Sequence, residues 1–389
     1  MNGPLNRLRV LHVMSGDLWA GAEAQACALL KELSRNPSFE LRAALFNPGE
    51  LEMRLRQAGI PVSVFDERSA SSWRIALRLR QLVREFDPHV VHTHGFKENV
   101  LGGLAARSTG RRTSLRTVHG APEHRPPAWR VDKQLARVLD DWAETRWQQA
   151  SVAVSNDLGS RLRRQRTGTR VEVIHNGLDL AEFAELRQRH SARLRDRSER
   201  VAFIGRLVPV KRVDLFLEAA GILVERDRGR WHFDIIGDGP LREELGRSTA
   251  AKALAAQVTF HGFRSDAVEM LPDCDVLAFT SDHEGTPMAA LEALAVGVPV
   301  VARAVGGLVE MLTGLRGCRL VDSDQPEVIA AAIEACVKSG ERPELPPRYS
   351  ISTCAKGYEA LYVQLAGGVG VRPHEEGTVP CGDSPRRGV

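Results

Sequence analysis

The chain has 389 residues, of which 43% are hydrophobic and 26% charged, enough for one to three domains and most naturally two. A net charge of +4 is too small to argue for a nucleic-acid partner, and no uncharged apolar run reaches the roughly 18 residues of a membrane span. The charge is uneven: residues 1–180 carry 27 Lys and Arg against 19 Asp and Glu, and the remainder 26 against 30. This suggests either different partners for the two halves or an arginine-rich surface throughout.

The predicted elements begin with "LRVLHVM" (8–14), a short apolar run that reads as a buried strand and is too short for a signal-peptide core. "AEAQACALLKELS" (22–34) has helical periodicity. "LRAALF", "IPVSVF", "HVVHTH", "TSLRTVH" and "ASVAVS" follow as strands with helices or loops between them. Strands alternating with helices predict a parallel sheet covered on both faces. "VEVIHNGLDLAEF" (171–183) leads into a charged stretch without strand signal, 184–200, read as a connector. "RVAFIGRL", "WHFDIIGDG", "VTFHGF", "CDVLAFTS" and "VPVVA" then repeat the pattern. The fold class is therefore α/β, with two doubly wound, Rossmann-like domains facing across a cleft: 1–183, connector 184–200, and 201–350. A final helix over 351–366 is expected to pack back toward the first domain, with a disordered tail over 367–389.

Six cysteines are scattered with no metal-ligand spacing. Cys27, Cys274 and Cys336 stand in apolar settings where reduced thiols pack as small hydrophobes, as they would in the cytoplasm.

The chemistry concentrates where strands end. In "HEGTPMAALEALAVGVPVVA" (283–302), Glu284 falls in the loop after a strand, and Glu292 lies inside a short apolar helix. Thr286 is read as its cap, Pro287 as its first residue and Gly297 as its terminator. The N–H groups of Met288 and Ala289 suit an anion. Glu292, between Leu291 and Ala293, needs a partner, either the vicinal hydroxyls of a ribose or a core Arg or backbone amide. In "IGRLVPVKRVDLFLEAA" (204–220), Arg206 ends a strand and Lys211 starts the next helix. They make a pair for a diphosphate, or two solvated surface cations. "GDGP" after the next strand lacks the third glycine of a dinucleotide fingerprint, and a tight turn accounts for it.

In the first half, "LWAGAEAQ" (18–25) puts small residues around Gly21, where a backbone approaches a ligand or merely turns. His92 and His94 in "VVHTHG" share a strand face, but a metal site needs a third ligand that the sequence does not point to. His119 ends another strand before Gly120 and is a candidate for the cleft wall. The basic stretch 71–86, with Arg74, Arg78, Arg80 and Arg84, together with Arg111, Arg112 and Arg116, faces either anionic lipid or solvent.

Taken together and in order, these motifs resemble a family-4 retaining glycosyltransferase of the GT-B fold (glycosyl transferases group 1), from the first strand to about Leu365. Glu284 and Glu292 match its E-x7-E motif, and "GRLVPVK" its donor-phosphate motif. Ala20 departs from the family's Gly-Gly before Ala-Glu. The resemblance implies that Arg206 and Lys211 hold the diphosphate of a nucleotide-sugar, a UDP-sugar by preference, with Glu292 on the ribose. Glu284 and His119 would be the catalytic pair beside the sugar. Gly285, Met288 and Gly21 would approach the donor, with His94 on the acceptor side. It further implies a glycan or lipid-linked acceptor, a polysaccharide or cell-envelope product, no metal or cofactor, and peripheral contact with the inner face of an anionic membrane. A nucleotide-sugar epimerase of the same architecture and a non-catalytic sugar-binding relative are the alternatives.

Overall fold

The computed structural model describes residues 7–110, 113–120, 131–165, 170–192 and 198–367. The expected tail beyond residue 367, and Arg111 and Arg112, lie outside them.

The first sheet contains β1 (Leu8–Met14), β2 (Phe39–Leu45), β3 (Val62–Val64), β4 (Val90–Thr93), β5 (Ser114–Val118), β6 (Ala150–Ala153) and β7 (Arg170–Val173). They run parallel in the order β3-β2-β1-β4-β5-β6-β7. Both faces are covered, which is why the strands read as apolar runs rather than alternations. On β1, Leu8 and Val10 pack with the helix Gly21–Ser34, and Leu11 and Val13 with the helix Ser72–Phe86 on the opposite face.

The second sheet contains β8 (Glu199–Ile204), β9 (Trp231–Ile236), β10 (Val258–Gly262), β11 (Val276–Phe279), β12 (Val300–Arg303) and β13 (Arg319–Val321). Its order is β10-β9-β8-β11-β12-β13, again all parallel. Sequence periodicity missed β13. It is a three-residue edge strand with one buried side chain, Val321, and carries no apolar run to detect.

The charged stretch 184–200 is helical over Ala184–Ala192, with Leu186 and His190 buried against the second domain; the His190 ring sits 3.1 Å from the carbonyl of Pro272. The C-terminal helix Ile351–Leu365 is capped by Ser350, whose hydroxyl accepts the Thr353 N–H at 3.2 Å. Its Ile351, Cys354, Tyr358, Leu361 and Tyr362 complete the core of the first domain. The two chain crossings between the domains are bonded to each other. Leu178 N–H donates to Tyr349 O at 2.9 Å, and Ile351 N–H to Leu178 O at 2.8 Å. Among the described residues no helix is long and apolar enough to cross a membrane.

Candidate active site

In each sheet the strand order reverses beside the first strand of its domain, between β1 and β4 and between β8 and β11. Loops at the carboxyl ends of strands flanking such a reversal diverge and leave a crevice. The two crevices face one another across a cavity of about 760 Å³. Arg206, Lys211, Glu284, Gly285, Met288, Glu292, Gly21 and His119 all line it. Residues from separate motifs thus converge on one space. His94 is not among its lining residues.

The wall from the second domain starts at the end of β11, where Thr280 and Ser281 are buried. The Thr280 hydroxyl bonds the carbonyls of Lys211 and Arg212 at 3.1 and 2.8 Å and so ties the two loops together. Glu284 is 5% exposed and accepts from Ser281 Oγ at 2.6 Å and from Lys211 Nζ at 2.7 Å on both oxygens. Lys211 is therefore an ion-pair partner of Glu284, in addition to any phosphate it meets. It lies in the short turn Pro209–Lys211, and the helix itself starts at Val213. Arg206 stands exposed on the loop after β8.

The helix after Glu284 begins at Met288, one residue later than expected, with Pro287 as its N-cap. Thr286 is no cap. Its hydroxyl donates to Val154 O of the first domain at 2.6 Å, and its carbonyl accepts from Asn176 Nδ2 at 3.1 Å. The ladder of the helix starts with Ala290 N–H on Pro287 O at 3.1 Å, leaving the N–H groups of Met288 and Ala289 ahead of it. Gly297 ends the helix in the left-handed region, φ 91°. Among the described residues Glu292 has no ion-pair partner; burial pushes its carboxyl up to about 7.

This last shift has a stability consequence. A carboxyl whose folded pKa lies above its unfolded value of 4.5 binds its proton more tightly when folded. Stability then falls as pH rises between the two values and stays lower above 7. Glu292→Gln is expected to shrink the fall in Tm between pH 5 and pH 8 in thermal melts. Glu23 and Glu98, raised to about 7 by the same burial, keep part of the slope.

The two domains touch closely at this site. A Cβ on Gly285 would lie 2.6 Å from the His119 carbonyl oxygen, and one on Gly21 would lie 3.2 Å from Met288 Cγ. Gly285, against a backbone oxygen, needs the smallest residue for this approach between domains, whereas at Gly21 a side chain is tight against Met288. Burial lowers the His119 ring to about 4, with Arg116 adding to the effect, so it is neutral at physiological pH. Its Nε2 lies 3.2 Å from Nδ1 of His94, which sits one ring behind the wall.

Sequence reasoning missed three residues here. His12 is the third ring beside His92 and His94. Asn176 lines the cavity and bonds across the domains. Phe263, 59% exposed, stands at the rim after β10. His12 was hidden because it lies 80 residues before His92 and meets it only through strand register.

Arg116 leaves the basic surface. It is 3% exposed, shared between Asp140 (2.9 Å) and Glu144, and lies over the Phe96 ring. A buried cation between two carboxylates cannot meet a membrane.

Comparison with known proteins follows the same outline. The family model "Glycosyltransferase Family 4" matches residues 19–182 and "Glycosyl transferases group 1" matches residues 185–350. A D-inositol 3-phosphate glycosyltransferase of Salinispora arenicola is 31% identical over 244 residues, 55% of this chain; the match spans about half of that relative, 54%. The UDP-Gal:alpha-D-GlcNAc-diphosphoundecaprenol alpha-1,3-galactosyltransferase of Escherichia coli is 25% identical over 323 residues, 79% of this chain and 82% of that one. Among solved structures, Anabaena Alr3699/HepE in complex with UDP and glucose superposes with a TM-score of 0.70 at 20% identity, covering 91% of this chain and 99% of that one.

Proposed function

Because the chain belongs to the family-4, group 1 glycosyltransferases of the GT-B fold, we propose that it moves a sugar from a nucleotide-sugar, a UDP-sugar by preference, to a glycan or lipid-linked acceptor with retention of configuration. The observation that carries this reading is the convergence of Arg206, Lys211, Glu284, Glu292 and His119 on one interdomain cavity.

As the sugar departs, negative charge grows on the leaving phosphate. Arg206 and the N–H groups of Met288 and Ala289 stabilise it as it develops. Lys211 gives two of its three N–H donors to Glu284 and keeps one for the phosphate, so it neutralises a buried carboxylate and an anionic ligand together. Glu284, fixed by Lys211 and Ser281, accepts from the sugar hydroxyls, and Glu292 accepts from the ribose. The exposed ring of Phe263 offers a stacking face for the base. Water excluded from the space between the domains cannot hydrolyse the donor.

The donor preference is supported by the UDP and glucose held in the Anabaena protein's complex, and the acceptor class by the diphosphoundecaprenol acceptor of the Escherichia coli relative. Contact with anionic lipid falls to the helix Ser72–Phe86, where Trp73 and Leu77 are exposed beside Arg74, Arg78 and Arg84. A product in a polysaccharide or envelope glycan fits these substrates.

The test is thermal stabilisation by UDP-, GDP- and ADP-sugars. A ligand at 100 times its Kd adds about 2.7 kcal/mol, which moves Tm by several degrees in a protein of this size. The UDP-sugar is expected to give the largest rise, and no rise with any of the three would overturn the reading. Consumption of the donor with no acceptor present would identify an epimerase instead.

A further inference from the structure

Parallel pairing sets His12 of β1 beside His92 of β4, and His94 follows β4 by one residue. The His92 and His94 rings stack with centroids 4.0 Å apart, and the His12 ring lies tilted against His92 at 4.7 Å. Ring nitrogens of the three lie within 4.8 Å of one another, close enough for a metal. However, all six nitrogens already have hydrogen-bond partners. The lone pairs a metal would need are engaged, and the group is better described as part of a hydrogen-bonded chain.

That chain runs from the core to the cavity. Tyr358 OH meets Thr117 Oγ1 at 2.8 Å, and Thr117 Oγ1 meets His92 Nε2 at 2.7 Å. His92 Nδ1 meets Tyr362 OH at 2.7 Å, which meets His12 Nε2 at 3.3 Å. His12 Nδ1 meets His94 Nε2 at 3.0 Å, and His94 Nδ1 meets His119 Nε2 at 3.2 Å. The chain ends at His119 Nδ1, which is buried and has no hydrogen-bond partner among the described residues, on a residue that lines the cavity.

Every member is neutral, because burial holds each of these rings far below its ordinary pKa and raises both tyrosines. A neutral imidazole donates at one nitrogen and accepts at the other. Each ring therefore passes the bond on in one direction, and each hydroxyl does the same unless its own hydrogen is left unpaired. Among the described residues, the buried Tyr358 hydroxyl has Thr117 as its one hydrogen-bond partner. It must donate there or leave its hydrogen unpaired. Once it donates, the one arrangement that leaves no hydroxyl hydrogen of the chain unpaired has Thr117 donating to His92, His92 to Tyr362, Tyr362 to His12, His12 to His94, and His94 Nδ1–H to His119 Nε2. The reverse order strands the Tyr358 hydrogen, a cost large enough to disfavour it about tenfold or more.

We propose that this chain holds His119 as its Nδ1–H tautomer, so that the cavity is offered a neutral hydrogen-bond donor and selects an oxygen acceptor on its ligand. His94, His12, Tyr362, His92, Thr117 and Tyr358 are positioning residues that act through His119. That the acceptor is a sugar oxygen rests on the transferase reading above; the tautomer does not.

The test is long-range ¹H–¹⁵N correlation spectroscopy of the full chain with ¹⁵N-labelled histidine at pH 7.5, without substrate. His119 is assigned by the signal lost in His119→Gln. The expected spectrum shows a protonated Nδ1 and a bare Nε2. In Tyr362→Phe a water enters the vacated space and both donates and accepts, so the two tautomers move toward equal populations. A bare Nδ1 or a doubly protonated ring in the wild type overturns the proposal, as does an unchanged tautomer ratio in a folded Tyr362→Phe. So does a shift of the His12, His92 and His94 signals on adding one equivalent of Zn(II). If Tyr362→Phe does not fold, the wild-type spectrum decides alone. Because no donor is needed, failure here and failure of the transferase reading are separately visible.

Discussion

Lys211→Ala is expected to lower kcat/KM for the nucleotide-sugar by about 10²–10³-fold, the range for removing one transition-state donor from a preorganised site. It should also destabilise the protein. The substitution leaves Glu284, 5% exposed, with Ser281 but without its cation. Breaking a buried pair costs about 3–5 kcal/mol; Lys211, with its side chain 20% exposed, places the loss at the lower end. The two effects separate in Lys211→Ala/Glu284→Gln. The neutral amide removes the uncompensated charge and recovers most of the urea-unfolding stability, while turnover stays low. Unchanged turnover in Lys211→Ala would remove Lys211 from the chemistry.

Arg116→Met is expected to be the most destabilising single change, with a loss of about 3–5 kcal/mol or failure to fold. Arg116 sits between Asp140 and Glu144, whose side chains are fully buried. The network continues to Asn99, which donates to Asp140 Oδ1 at 2.7 Å, and to Ser151, which donates to Glu144 at 2.6 Å. Removing the cation leaves two buried carboxylates short of the charge they share. The triple variant Arg116→Met/Asp140→Asn/Glu144→Gln is expected to regain stability, because it removes the charges together. Chemical denaturation of the three proteins checks this. If Arg116→Met unfolds at the wild-type midpoint, the buried network is not stabilising the first domain.

The α/β class, the two repeats and most strands were legible because a strand buried on both faces leaves an unbroken apolar run. The placement of Glu284, Gly285, Met288 and Glu292 followed from spacing, since a strand, a tight loop and a short helix leave little freedom. What was not legible depended on partners distant in the chain. Lys211 reads as a phosphate ligand by position, yet its carboxylate partner is 73 residues away. Arg116 reads as a surface charge because arginine usually is one; its two acids come from a helix that contributes Asp140 and Glu144, 24 and 28 residues later. Thr286 has the residue type of a cap, but the carbonyl it serves belongs to the other domain. The ring of His12 meets His92 only once β1 and β4 pair. Local pattern thus specifies the elements, while charge partners across the fold decide the roles of the polar side chains.

The helix Ile351–Leu365 lies at the far end of the sequence, but its buried face belongs to the core that begins with Leu8. As the polypeptide leaves the ribosome, the second domain receives all its strands before the first has its last layer. The first domain must therefore wait, part-formed, with the surface destined for Tyr358 and Tyr362 still uncovered. A nascent chain stalled after the second domain has emerged but before the helix Ile351–Leu365 would hold that domain formed and the first one open, where holdase chaperones would find their apolar target.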